Sequence, residues 1–499
     1  MKFSAALSLA LLTALLASAR AEVSLPKVIS SHMVLQRDMP IHLWGNAAPG
    51  EQVSAAFRNT SATTTADTTG RWSLYLAAQP AGGPYPLTIK ATNTLQLDDI
   101  LVGDLWLASG QSNMEMPLAG FNPTTPIQDS EKEIAAANYP QLRLLHVEKD
   151  TSDYPLDDLK AVTGWSLCTP DSARKFSAVA YFFGRDLQAR QHVPIGLIDS
   201  TWGGTPAEAW TSMNTLSRDA GLMPVFNVRA QKMESQAAAL RLEKLDAEVK
   251  AQGKTPPQRA WRPDPVSHRP AALYNAMIAP ITPLAIRGVI WYQGETNSAP
   301  GQVELYSRLF PAMIQDWRAL WHQGNFPFLF VQLSAYDAGT FNDWGTLRDA
   351  QRRTLQLVNT GMAVSIDLGN EHNIHPANKQ DVGARLALLA RSISYGEKIV
   401  PSGPLFRLAY PENGIMRVWF DYAEGLKPRG PAPTAFEVAG PDGHFVPATA
   451  KVDGDTILAA SPTVPNPTYV RYAWPGFPAA NLYNAAGLPA SPFTSYPVP

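Results

Sequence analysis

The chain has one cysteine, Cys168, among its 499 residues. An intrachain disulfide is therefore excluded, and stability must come from packed cores. Beyond residue 21 no segment approaches the ~20 apolar residues that a membrane helix needs. An excess of charge of one sign is also missing, since 41 Lys and Arg face 43 Asp and Glu. With no long charge run either, the basic footprint of a nucleic-acid-binding protein is absent. No repeat recurs at a solenoid period. Histidine is scarce, at nine. His372 and His375 form an H-x-x-H pair, but a zinc site needs at least a third ligand, and the other histidines offer no spaced partner.

What is present begins with a leader. Lys2, the apolar run Leu7 to Leu16 and Ala19-Arg20-Ala21 have the order of a secretory signal over 1–21. The run is too short to span a bilayer, so a short membrane anchor is the lesser reading. The mature chain is expected to begin near Glu22, without an anchor, in the periplasm or outside the cell. Proline reaches 43 and tryptophan 13. Tryptophan can stack on sugars, but burial in a core is its commoner use.

Three regions follow. Residues 22–100 carry short β-prone runs: Val28–Ile29, His32–Gln36, Ile41–Trp44, Gln52–Phe57, Trp72–Leu76 and Tyr85–Ala91. Pro49-Gly50, Thr69-Gly70 and Gly82-Gly83-Pro84 punctuate them, as in a β-sandwich. From 101 to 396 strands and helices alternate. The strands are expected at Leu105–Ala108, Leu142–Val147, Ile195–Asp199, Gly288–Tyr292, Phe328–Leu333 and Met362–Ile366. Helices are expected at Ala178–Arg190, Leu305–Trp321, Thr346–Leu357 and Lys379–Tyr395. Such alternation predicts an α/β fold with a parallel sheet covered on both faces. A charged helical stretch and a Pro-rich stretch mark 205–275 as an insertion. Residues 397–499 return to short β runs, at Arg417–Phe420, Ala435–Val438 and Tyr469–Ala473.

The chemistry-bearing residues follow strands. Ser112, in Gly110-Gln111-Ser112-Asn113-Met114, comes directly after Leu105–Ala108, where a serine is presented at the carboxyl end of a sheet. The G-x-S-x-G elbow is not matched, because Met114 stands in the last glycine's place. A helix-capping serine is the structural alternative. Gly203-Gly204 follows another strand and could bring backbone N–H groups to a developing oxyanion; an ordinary turn is the alternative. After Gly288–Ile290 come Trp291-Tyr292-Gln293-Gly294-Glu295-Thr296-Asn297. Gln293 or Asn297 could supply a side-chain amide to the same oxyanion. Glu295 could be a structural hub, a substrate contact or the group that orients a base. His375, in Asn373-Ile374-His375-Pro376, precedes a helix and is the candidate base. A serine early and a histidine late, both behind strands, point to hydrolysis at one sheet edge.

Together these segments resemble the SGNH-hydrolase superfamily, and within it the sialate O-acetylesterase-like carbohydrate esterases. His32-Met33-Val34-Leu35-Gln36-Arg37 and Trp44-Gly45 are similar to the sandwich placed before the catalytic domain. Gly110 to Met114 looks like the nucleophile block, and Gly203 falls where an oxyanion glycine is expected. Trp291 to Glu295 looks like the block that gives an amide, from Gln293, to the oxyanion hole. Ile374-His375-Pro376 with Lys379 looks like the catalytic-histidine block. The resemblance implies an SGNH-type, flavodoxin-like three-layer core flanked by all-β regions. It implies a serine esterase acting on acetylated mono-, oligo- or polysaccharides, with no metal or organic cofactor and no nucleic-acid partner. Gln111, Glu295, Asn297 and Glu371 are candidates for orienting or substrate-contacting roles.

The sequence departs from that pattern at the acid. His372 and Asn373 stand three and two residues before His375, where relatives carry Asp. Either Asp367, Glu371 or Glu295 supplies a carboxylate, or a neutral group orients the imidazole of a Ser-His dyad. Sialic acid and acetylated hemicelluloses such as xyloglucan or xylan are equal substrate candidates. Two rivals remain: a non-catalytic carbohydrate-binding protein, and a lipid or short-chain esterase.

Overall fold

The computed structural model of the protein describes residues 22–122, 125–257, 265–339 and 342–497. The expected leader, 1–21, lies outside the described residues, as does 258–264 of the expected insertion. Six strands form a parallel sheet in the order Thr360–Val364, Phe328–Gln332, Gly288–Tyr292, Thr94–Gly110, Ile195–Thr201, Tyr139–His146. Ser166–Cys168 adds an antiparallel edge. Ile195–Thr201, Gly288–Tyr292 and Phe328–Gln332 are buried throughout, as expected of a parallel sheet covered on both faces. Helices Ala178–Gln191, Val303–Trp321, Trp344–Arg353 and Lys379–Ile393 lie close to the sequence expectations. Chain order places the first strand in the middle. The chain leaves it towards Tyr139–His146, then crosses to Gly288–Tyr292 on its other side. That reversal makes a topological switch point at the carboxyl ends of these strands, the usual ligand position in open α/β sheets.

The boundary expected at 100/101 falls inside one strand. Thr94–Gly110 pairs by its first half with Gly82–Lys90 of the N-terminal β region and by its second half with the parallel sheet. Between the halves, Asp99 adopts a left-handed conformation, with φ at 58°. Its carboxylate accepts from Arg143 at 2.6 and 3.1 Å and meets His32 Nδ1 at 2.7 Å. One apolar cluster runs from Val23 through both sheets to Ala390. Val28–Ile29 is a turn rather than a strand, and the Trp165 indole N–H donates to the Val28 carbonyl at 2.9 Å.

The insertion contains a 28-residue helix, Pro224–Ala251. Among the described residues no helix is long and apolar enough to cross a membrane. The C-terminal β region has a separate core, including Val418, Ile457, Val470 and Phe493. Arg348 ties it to the parallel sheet. Fully buried, its guanidinium donates to the carbonyls of Leu333, Ser334, Pro475 and Gly476 at 2.7–3.0 Å.

Candidate active site

Three neighbouring strands end level. Gly110 is in register with Thr201 on one side and Tyr292 on the other. The loops that follow carry Gln111-Ser112-Asn113, Trp202-Gly203-Gly204 and Gln293-Gly294-Glu295, so topology alone gathers the first three candidate segments. Gly110 is required at this turn. Its φ is +133°, and a Cβ there would lie 2.2 Å from the Tyr292 carbonyl oxygen. Ser112 then opens a four-residue helix, Ser112–Glu115.

His375 arrives from the sheet's edge. After Thr360–Val364 the chain turns back to the helix Lys379–Ile393, capped by Asn378, whose side chain accepts from the Asp381 N–H. Gly383 lets that helix press onto Ala178–Gln191; a Cβ there would lie 2.6 Å from Phe182 Cβ. This packing brings His375 Nε2 to 2.9 Å from Ser112 Oγ. The Phe121 ring meets the imidazole edge-on at 5.4 Å. The Asn373 side chain accepts from the His375 backbone N–H at 2.9 Å, shaping the loop instead of touching the ring.

The candidate acids lie elsewhere. Asp367 accepts a two-pronged bond from Arg385 at 2.6 and 2.8 Å. Glu371 is exposed beside an exposed His372, at 3.7 Å. Glu295 is buried and takes the Asn113 amide at 2.6 Å on Oε1, while its Oε2 has no partner. Among the described residues His375 Nδ1 has no hydrogen-bond partner, and no group of three His, Cys, Asp or Glu side chains could hold a metal ion.

The expected oxyanion donors are all near but not all open. Gly203 abuts the serine; a Cβ on it would lie 3.2 Å from Ser112 Cβ. Its N–H donates to the Glu115 carboxylate, whose other oxygen takes Lys149 Nζ at 2.5 Å. Gln293 is buried, with Nε2 donating to the Thr205 carbonyl at 3.2 Å and to Asn297 Oδ1 at 2.7 Å. Its Oε1 accepts from the Tyr306 hydroxyl at 3.1 Å. Asn297 completes the tie, accepting from Ala207 N–H and donating to Glu208, both at 2.9 Å. The Gln111 side chain accepts from the Gly294 and Thr296 N–H groups at 3.3 Å, lacing the serine loop to the next one. Asn113 and Glu115 were not singled out from sequence. Their place inside the serine block was the available signal, but their partners are distant in the chain.

Comparison with known proteins places the chain in a family. Residues 248–391 match the family described as carbohydrate esterase, sialic acid-specific acetylesterase. The mouse sialate O-acetylesterase is 32% identical, covering 93% of this chain and 93% of its own length. The human sialate O-acetylesterase is 32% identical over 94% of this chain and 91% of its own. The chain belongs to this esterase family. A crystal structure of a carbohydrate acetylesterase from Xanthomonas citri is 40% identical, with a TM-score of 0.82, covering 95% of this chain and all of that one. As an enzyme, the present chain is thus a carbohydrate O-acetylesterase, a carboxylic ester hydrolase.

The electrostatics of this esterase's site are set by burial. Burial, with the nearby Lys379 charge, pulls His375 down to about 4, so the imidazole is neutral at neutral pH. Burial also lowers Lys379, to about 7, and raises Glu295; each partly offsets the other's loss of hydration. A neutral imidazole with Nε2 on a serine hydroxyl can accept that proton directly.

Proposed function

We propose that the protein is an exported serine esterase that removes O-acetyl groups from carbohydrates through an acetyl-enzyme. The observation that carries this reading is the 2.9 Å contact between Ser112 Oγ and His375 Nε2, made across 263 residues of sequence. Ser112 Oγ attacks the acetyl carbonyl carbon as His375 Nε2 takes its proton. The tetrahedral oxyanion is held by the backbone N–H of Ser112, by that of Gly203 once it is released from Glu115, and by the Gln293 amide once it turns from Asn297. The bond to the sugar oxygen then breaks, and the imidazolium protonates the departing alkoxide. Water, deprotonated by His375, attacks the acetyl-enzyme; the bond between the acyl carbon and Ser112 Oγ breaks, acetate leaves, and the imidazolium returns its proton to Oγ.

The pair acts as a dyad. Without a carboxylate on Nδ1 the imidazolium is poorly stabilised, which slows its formation but makes it a strong acid towards the leaving alkoxide. Gln111 orients the serine loop, and Glu295, Asn297 and Glu371 are the remaining candidates for substrate or orienting contacts. The core is an SGNH-type three-layer domain over 101–396, with an insertion at 205–275; it shares the strand Thr94–Gly110 with a β-sandwich at 22–100 and is followed by a β region at 397–499. The leader at 1–21 directs the protein to the periplasm or beyond. The substrate is an acetylated sugar: the relatives' names favour sialic acid, and acetylated xyloglucan or xylan fits the same chemistry. Acetate release from a panel of these native glycans, by the native enzyme and Ser112→Ala, tests the reading. Acetate from none of them would refute it, as would release undiminished in Ser112→Ala.

A further inference from the structure

Asn113 lies next to Ser112, is 2% exposed, and uses its carboxamide in three directions. Nδ2 donates to Glu295 Oε1 at 2.6 Å and to the Ile374 carbonyl at 3.0 Å. Oδ1 accepts from Lys379 Nζ. The orientation of this amide is chemically fixed. The Ile374 carbonyl only accepts, so it must face Nδ2, which leaves Oδ1 to accept from Lys379 Nζ. Glu295 and Lys379, both buried, keep the remaining Nδ2 proton aimed at Ile374, the residue immediately before His375. Asn373 holds the His375 N–H, the other end of the same peptide group. The peptide group that precedes the histidine is thus held at both its oxygen and its N–H, while among the described residues no carboxylate reaches His375 Nδ1.

We infer that Asn113, aimed by Lys379 and Glu295, is a positioning residue that replaces the orienting action of the missing triad acid by clamping the Ile374 carbonyl. In a triad the acid holds the imidazole through its far nitrogen. Here the serine's own neighbour holds the segment that bears the imidazole, so the loop of the nucleophile and the loop of the base cannot drift apart. Three chain segments meet in this one side chain: the serine turn, the loop after Gly288–Tyr292, and the start of the helix Lys379–Ile393. The inference rests on the assignment of Ser112 and His375 as the reacting pair.

The test measures kcat and KM for 4-nitrophenyl acetate with the full chain. Active sites are titrated by an organophosphate that reacts with the nucleophilic serine, so misfolded molecules are not counted. Asn113→Ala is expected to lower kcat per titrated site about 10²-fold, the scale of an ångström-level misplacement, with KM little changed. Lys379→Met, which preserves bulk and removes both the donor and the charge, is expected to lower kcat less. It should also raise the acid limb of kcat/KM, because His375 loses a neighbouring positive charge. Native kcat per site in Asn113→Ala, with Ser112→Ala inactive, overturns the clamp and leaves the dyad standing. Activity retained in Ser112→Ala overturns the dyad itself. Should Asn113→Ala not fold, an unchanged kcat and acid limb in Lys379→Met overturn the clamp independently.

Discussion

Glu115 covers the backbone N–H of Gly203. This carboxylate belongs to the same helical turn as Ser112, and Lys149 holds its second oxygen. A negative group therefore sits on a donor proposed here for the oxyanion. Substitution by Ala uncovers the donor and removes a like charge from the developing oxyanion, so Glu115→Ala should raise kcat for a small ester such as 4-nitrophenyl acetate several-fold. A clear fall in kcat, with the fold intact, would show instead that Glu115 shapes the turn that reaction requires.

His375 and His372 should separate cleanly. His375→Ala removes the group at 2.9 Å from the serine and should be as damaging as Ser112→Ala. His372 is exposed and faces Glu371, so His372→Ala should leave acetyl-ester turnover near native. Equal losses at both positions would point to a shared role.

No carboxylate among Asp367, Glu371 and Glu295 should rank with Ser112. A conventional triad acid is worth ~10⁴ in kcat. Asp367→Asn should mainly cost stability, because Arg385 loses its two-pronged partner. An amide variant with a loss near ~10⁴-fold and a preserved fold would identify the acid and end the dyad assignment.

The pH profile should extend far into acid. His375 must be neutral to act, and burial with Lys379 holds it down to about 4. The acid limb of kcat/KM is expected near that value rather than near the usual histidine range. The linkage has the same sign. The unfolded chain binds this proton first, so the contribution of neutral His375 to stability is complete above the ordinary histidine pKa and is lost as pH falls towards about 4. Initial rates across pH 3 to 8, each checked for folding, decide the matter; a limb at the ordinary histidine value would contradict it.

Arg348 should be worth more to folding than any exposed ion pair. Replacing it by Met takes the guanidinium from four carbonyls; Ser334 keeps the Trp344 indole and Gly476 keeps the Tyr336 N–H, so the carbonyls of Leu333 and Pro475 lose the donor they have here. A loss of ~1–3 kcal/mol is expected, the cost of leaving a buried acceptor unpaired. Denaturant unfolding measures it, and a loss below ~1 kcal/mol would mean that other contacts dock the C-terminal region.

Much of this arrangement was readable in the residues. Gly288–Tyr292 and Gln52–Phe57 are bounded in the structure as their patterns predict, because uninterrupted apolar or alternating runs meet clear turn residues. Ser112 and His375 were legible because each follows a strand. The first half of Thr94–Gly110 was not. Asp98-Asp99 resembles a turn, and only Arg143 and His32, brought from elsewhere, hold Asp99 within a strand. The direction of the Gln293 amide was equally hidden. Sequence supplies the amide, but Tyr306 and Asn297 decide where it points. Asn113 sits in the recognised serine segment, yet its partners lie 182 and 266 positions away.

The strand Thr94–Gly110 has a consequence for how this enzyme can be dismantled. Its outer half completes the N-terminal β region and its inner half is the central stave of the parallel sheet, ending at the serine turn. The N-terminal region therefore cannot be excised as an independent module. A cut before residue 94 strips the shared strand of its Gly82–Lys90 neighbour, and a cut after it removes the middle of the parallel sheet. Unfolding of the two regions should be one cooperative event, whereas the C-terminal region, with its separate core, is the place where the chain can come apart in stages.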